Sequence, residues 1–193
     1  MNKKLFIFTS LVCSFILIFS ACTNNDDNEL DQEWIDYNTK LYNEVVQNSE
    51  YRALQSESKN GSVYFKYIDD FIEDYQSLKK PKITEEGTPY FTDSISMRYE
   101  GFYYKKDGTK YTFDTTEGGN NYVVYRTRVN SLIDGMSTML QYMEIDEQVE
   151  VCIPYRLGYK EAGNSSIPGY TTLWFRMKLL NIYDDSKKEW VKK

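Results

Sequence analysis

Gln148-Val-Glu-Val-Cys-Ile-Pro154 and Thr172-Leu-Trp-Phe-Arg-Met-Lys-Leu-Leu-Asn-Ile182 decide the fold. Both segments alternate with period two, as a strand does when one face is buried. Val149, Val151 and Ile153 fall on one face, with Glu150 and Cys152 on the other. Leu173, Phe175, Met177 and Leu179 repeat the pattern. The connection between them carries Leu157-Gly-Tyr159 and Ile167-Pro168-Gly169, a loop pinned by Pro154, Pro168 and several glycines. Two such strands predict an antiparallel sheet with one face on a core.

Working upstream, Ser131 to Tyr142 reads as a short helix with Leu132, Met136, Met139, Leu140 and Met143 turned inward. Glu117-Gly-Gly-Asn-Asn121 reads as a mobile loop, without the lysine or long helix that phosphate cradling needs. Asp93 to Tyr104 is a long strand, Asp107-Gly108 a hairpin turn, and Tyr111 to Asp114 the return. Ser62 to Ile68 alternates as a further strand. Asp69, Asp70, Glu73 and Asp74 form a solvated acidic face with no apolar surroundings to shift a carboxyl pKa. Glu29 to about Ser56 reads as one helix with Trp34, Tyr37, Leu41, Val45 and Val46 on a face, Asp31 as its N-cap and Asn60-Gly61 as its exit. That helix either docks on the domain, spaces it from its anchor, or pairs with a second copy. A meander of long strands around one short helix is an α+β architecture.

In chain order, Met97-Arg-Tyr-Glu-Gly101, Asp107-Gly108, Phe113-Asp114-Thr-Thr116, Leu132-Ile133-Asp-Gly135, Leu140-Gln-Tyr-Met143, Val151-Cys-Ile-Pro154, Leu157-Gly-Tyr159, Ile167-Pro168 and the Leu173 strand resemble the FKBP-type peptidyl-prolyl isomerase domain. The resemblance runs from about Pro89 to Tyr183. It implies a twisted antiparallel sheet wrapped around a short helix, preceded here by the N-terminal helix. It also implies a site with no cofactor, no metal and no ionisable catalytic dyad. The matching positions are Tyr99, Phe113, Ile133 and Phe175 as ring and aliphatic walls, Ile167 on the overhanging loop and Tyr125 at the rim. The Ile133 N–H and the Tyr159 hydroxyl match the substrate donors, and Asp114 the polar edge. The pocket floor, tryptophan in well-known members, is Met136 here, and the glycine expected after the pocket tyrosine is Lys160.

Composition narrows the alternatives. The 193 residues include no histidine, which removes histidine triads, ligands and proton shuttles. A net charge of −6 argues against nucleic acid as a partner. Lys3-Lys4 followed by an apolar run from Leu5 to Phe19 is too short to span a bilayer and reads as an export leader. Ser20-Ala21-Cys22 resembles a bacterial lipobox, with Phe19 where leucine is usual. Cleavage before Cys22 and lipidation of its sulfur would leave Cys152 as the remaining thiol, so no intrachain disulfide is expected. The acidic run Thr23 to Asp31 resembles the tether of Bacteroides-group surface lipoproteins.

The expected organisation is leader 1–21, acidic tether and helix 22–61, FKBP-like domain 62–185 and basic tail 186–193. The expected partners are proline-containing polypeptides, a membrane through lipid on Cys22, and a second copy through the N-terminal helix; the place is the outer membrane, facing periplasm or surface. Three functions remain in view. They are an envelope prolyl isomerase, a non-catalytic peptide-binding or chaperone module on the same fold, and a glycan binder using the 18 tyrosines and three tryptophans.

Overall fold

A computed structural model describes residues 32–72, 87–118, 121–184 and 189–190. The leader, Cys22, the tether through Asp31, Glu73, Asp74 and most of the basic tail lie outside the described residues. The described chain forms one unit. It opens with helix α1 (Gln32–Gln47) and strands β1 (Arg52–Gln55) and β2 (Ser62–Tyr67). Then come β3 (Ser94–Tyr104), β4 (Lys110–Thr115), β5 (Glu117–Gly118), β6 (Asn121–Tyr122) and β7 (Tyr125–Arg128). Helix α2 (Asp134–Leu140), β8 (Gln148–Ile153), β9 (Leu173–Asp184) and β10 (Glu189–Trp190) complete it. The sheet runs β1-β2-β8-β9-β3-β4, with β7 also on β3 and β10 on β9. Every pairing is antiparallel.

The alternation of β8 and β9 places Val149, Val151, Ile153, Leu173, Phe175, Met177 and Leu179 in one core, all almost wholly buried. Strand β3 adds Ile95, Met97, Tyr99 and Tyr103, and α2 closes the layer with Met136, Met139 and Leu140. Each large apolar side chain buried there contributes roughly 1.5–3 kcal/mol against exposure.

The other face of the sheet is covered too. Phe102, Cys152 and Trp174 form a second buried cluster, with Leu41, Tyr42 and Val45 of α1 packed on it. Cys152 is therefore not on a polar face as the alternation with Glu150 suggested. It is fully buried beneath α1, and burial pushes its thiol up. Helix α1 is docked on its own sheet, and the Tyr42 hydroxyl donates to the carbonyl of Ser62 at 2.9 Å.

Three further expectations change. The first helix stops at Gln47 rather than near Ser56, because Asn48 turns the chain. The Asn48 N–H donates to the Val45 carbonyl while Asn48 Oδ1 accepts from the N–H of Glu50. Arg52 to Gln55 is strand β1, in register with β2, and Asn60-Gly61 belongs to the turn between them rather than to a helix exit. Glu117 to Asn121 is not merely a loop: β5 and β6 pair there. The Ser131–Tyr142 helix separates into a 3-10 turn at Val129–Ser131 and α2 proper.

Candidate functional site

Period two puts Tyr99, Gly101 and Tyr103 on the inner face of β3. Gly101 lies opposite Asp114 on one side and Phe175 on the other. The register of β3 with β4 slips between Gly101 and Phe102, leaving Phe113 as the extra residue of a bulge. A bulge lets two consecutive residues serve one face. Phe113 and Asp114 both turn toward Tyr99 and Phe175 for that reason. The Phe113 and Phe175 rings meet edge to face at 5.6 Å, and the Tyr99 ring lies 6.2 Å from Phe175. The Tyr99 hydroxyl donates to Asp114 Oδ2 at 2.6 Å.

Glycine is required at 101. A Cβ there would stand 2.6 Å from Phe175 Cε1 and 2.8 Å from Phe113 Cζ. Thr116 fixes the backbone beside it. Its Oγ1 accepts the Tyr99 N–H at 2.8 Å, and its N–H donates to the Tyr99 carbonyl at 2.9 Å. Tyr125, on β7, sets its ring 5.6 Å edge-on to Tyr99 and is 37% exposed at the rim.

The loop after β8 supplies the opposite wall. Tyr159 meets Phe113 edge-on at 6.4 Å. Asn164 Oδ1 accepts the N–H groups of Ser166 and Ile167, an Asx turn that directs Ile167 into the core at 2% exposure. Met136, Tyr99 and Phe175 are likewise buried, whereas Phe113, Ile133 and Tyr159 are only partly so. The result is a ring cluster whose partly exposed outer members, Phe113, Ile133 and Tyr159, pack on a buried layer of Tyr99, Met136, Ile167 and Phe175. The sequence-expected residues Tyr99, Phe113, Asp114, Tyr125, Tyr159 and Phe175 are joined by direct ring or hydrogen-bond contacts. Ile133, Met136 and Ile167 share their apolar cluster.

Two hydrogen-bond donors of this cluster are free among the described residues. The Tyr159 hydroxyl and the N–H of Ile133, at the entry to α2, have no partner among the described residues. Burial first, then the charge of Asp114, raise the Tyr159 phenol above its ordinary 10.0. Burial, then the bond to Asp114 and its charge, raise Tyr99 further. Both are neutral donors at physiological pH.

The supports that sequence reading left unassigned are Gly101, Tyr103, Thr116 and Trp34. Tyr103 stacks on Phe113 at 6.4 Å, and Trp34 meets Tyr103 edge-on at 5.9 Å. Tyr103 could have been found, since it is the next inner-face residue after Gly101. A cleft of about 510 Å³ lies elsewhere among Glu50, Arg52, Lys66, Tyr67 and Asp70; its charged lining offers nothing to a twisted amide. Among the described residues no group of three or more acidic, cysteine or histidine side chains could hold a metal ion.

Residues 86–180 match the model of the FKBP-type peptidyl-prolyl cis-trans isomerase family. FK506-binding protein 2 of Debaryomyces hansenii is 32% identical over 97 residues, covering 50% of this chain and 69% of the relative. The chain belongs to the FKBP family. FK506-binding protein 1 of Gibberella zeae is 32% identical over 97 residues, 86% of its length. Among solved FKBP-fold structures, a peptidyl-prolyl cis-trans isomerase from Pseudomonas syringae superposes with a TM-score of 0.58 at 16% identity, covering 80% of this chain and 97% of that one. FkpA from Escherichia coli gives 0.58 at 17% identity, over 78% and 60%. At those identities the two structures speak to the fold alone. They share with this FKBP chain the antiparallel sheet and its helices.

An FKBP site built this way should be indifferent to pH near neutrality, because the chain has no histidine. At the alkaline end the tyrosines govern stability. Tyr42 is raised by burial to about 12, and Tyr99 and Tyr159 are raised as well. A raised folded pKa adds stability that is whole below the unfolded value and lost as pH climbs through the folded one. Urea midpoints should stay level from about pH 6 to 9 and decline from about 10 upward. A midpoint that falls within the neutral range would contradict these assignments.

Proposed function

We propose that this chain is a lipid-anchored prolyl isomerase of a bacterial envelope, acting on exported polypeptides. The observation that carries the catalytic reading is the pair of free donors, the Tyr159 hydroxyl and the Ile133 N–H, at the edge of the Tyr99–Phe113–Phe175 ring cluster. Isomerisation about a prolyl bond meets a barrier of ~18–20 kcal/mol from amide resonance. The twisted amide has lost that resonance and is less dipolar than the planar one. An apolar ring surface therefore favours it over water, while the donors hold the flanking carbonyls. Each tenfold in rate asks about 1.4 kcal/mol of such preference. Asp114, fixed by Tyr99, supplies the polar edge.

The envelope reading rests on sequence: the Lys3-Lys4 and Leu5–Phe19 leader and the Ser20-Ala21-Cys22 ending. Lipid on Cys22 would add roughly 0.8 kcal/mol of membrane affinity per buried methylene. Mass spectrometry of the native N-terminal peptide tests it: an unmodified Cys22 ends the anchoring proposal. A homodimer through α1 would have to use its polar side, since the apolar side packs on its own sheet.

The catalytic reading is tested by proline-peptide exchange. Tyr159→Phe should lower kcat/KM by about five- to tenfold, the weight of one hydrogen bond. Its effect on unfolding should be near zero, because the hydroxyl has no hydrogen-bond partner among the described residues. Asp114→Ala should cost more, as it also strands the Tyr99 hydroxyl. Turnover that is present but indifferent to both changes would mean the chemistry lies elsewhere. A second reading, a peptide-binding module without turnover, is favoured by one observation. The floor is a buried thioether, Met136, which specifies shape less firmly than an indole. It expects client binding and suppressed aggregation with no faster exchange.

A further inference from the structure

The ring cluster is assembled from two separate pieces of chain. Phe113 and Asp114 come from the β3–β4 hairpin, and Tyr159 and Ile167 from the loop between β8 and β9. Across the site they touch through the edge-on Phe113–Tyr159 pair at 6.4 Å. Behind the site both pieces are held by the first two turns of α1.

On the loop side, Trp34 Nε1 donates to the carbonyl of Gly169 at 3.0 Å. Asn38, 1% exposed, is a double clamp. Its Oδ1 accepts the Thr172 N–H at 2.8 Å and its carbonyl accepts the Thr172 hydroxyl at 3.0 Å. Its Nδ2 is tied back to the Trp34 carbonyl at 2.9 Å. A wholly buried amide inside a helix is costly unless its polar atoms are satisfied, and here the Asn38 side-chain and main-chain oxygens are both satisfied by Thr172 at the end of the loop. The loop passes that position inward. Gly169 is so tight against Glu161 that a Cβ would come within 1.9 Å of the Glu161 carbonyl oxygen. Tyr170 N–H donates to the Lys160 carbonyl, next to Tyr159, at 2.9 Å.

On the hairpin side, the Tyr37 hydroxyl donates to the Lys105 carbonyl at 2.7 Å, and Trp34 sits edge-on to Tyr103, which stacks on Phe113. Trp34 thus touches the support of both walls.

We infer that Trp34 and Asn38 are positioning residues that fix the spacing between the Phe113 wall and the Tyr159 loop, and with it the fraction of molecules able to take a prolyl segment. This rests on the site assignment above. If the loop drifts, the apparent affinity falls by the competent fraction while the bound complex turns over as before. The signature is a raised KM at unchanged kcat. Simple destabilisation does the opposite, removing active molecules and lowering the maximal rate at constant KM.

The test uses the full chain carrying Trp34→Phe, which keeps a ring and deletes the indole N–H, and Asn38→Ala. With a Leu-Pro tetrapeptide as substrate, Trp34→Phe should raise KM about fivefold, the weight of one lost hydrogen bond, at constant kcat. Amide exchange should quicken about tenfold at Thr172 and Ile167 in Asn38→Ala, with Val151 unchanged. Should Asn38→Ala not fold, Trp34→Phe decides alone. An unchanged KM, a rate that falls at constant KM, or loop amides that keep their protection overturns the inference. If the wild-type chain does not accelerate exchange, the isomerase reading falls by itself, and FK506 titration decides the positioning role. A weaker dissociation constant in Trp34→Phe supports it, an equal one overturns it, and no binding by wild type overturns both.

Discussion

Gly101→Ala should disable the site and destabilise the fold together. The new methyl would stand 2.6 Å from Phe175 Cε1 and 2.8–2.9 Å from two Phe113 carbons. Neither ring has an easy retreat: Phe175 is 2% exposed, and Phe113 is backed by Tyr103 at 6.4 Å. Overpacking of this kind costs about 1–3 kcal/mol, a fall in Tm of roughly 2–4 °C for each kcal/mol in a chain of this size. The catalytic loss should be larger than the stability loss implies. A displacement of about 1 Å at a wall can cost on the order of 100-fold in turnover. Urea unfolding and proline-peptide exchange on the same preparation separate the two. Wild-type values in both would show that the rings do not lie over Gly101.

The largest effect on stability is expected at Trp174→Ala. Trp174 is 5% exposed, parallel to Phe102 at 6.4 Å, edge-on to Tyr104 at 5.0 Å, and roofed by Leu41, Tyr42 and Val45 of α1. Truncation of a buried tryptophan costs about 3–5 kcal/mol, because the transfer loss is joined by a cavity. The helix should also loosen, since its apolar side would lose the largest surface beneath it. Urea unfolding together with exchange of the α1 amides reads both effects. A loss below about 1 kcal/mol would show that α1 is not seated on that cluster.

The inner layer of this fold was readable because its code is local. Val149, Val151 and Ile153, and Leu173 through Leu179, announce their face by period two, and Asp107-Gly108 announces its hairpin. The outer layer was hidden by the same rule. Glu150 beside Cys152 suggested a solvated face, yet Phe102, Tyr104 and Trp174 alternate on that side as well, and α1 covers it. Arg52 to Gln55 reads as part of the first helix because four residues with one leucine carry no period of their own; pairing with β2 decides them. At the site, the residue types came from resemblance, but the means of assembling them did not. The Phe113 bulge is a register event between strands, and the Asn38–Thr172 clamp joins residues 134 apart. Neither leaves a trace in a short window of sequence.

The sealed sulfur of Cys152 gives the molecule an internal clock. It sits at 0% exposure under α1, and an alkylating reagent reaches it only while that cover is lifted. Its labelling rate, followed on the peptide that contains it, therefore measures how often the roof opens. A reader of that clock could follow how strain on α1 becomes a change in the cover of its own sheet.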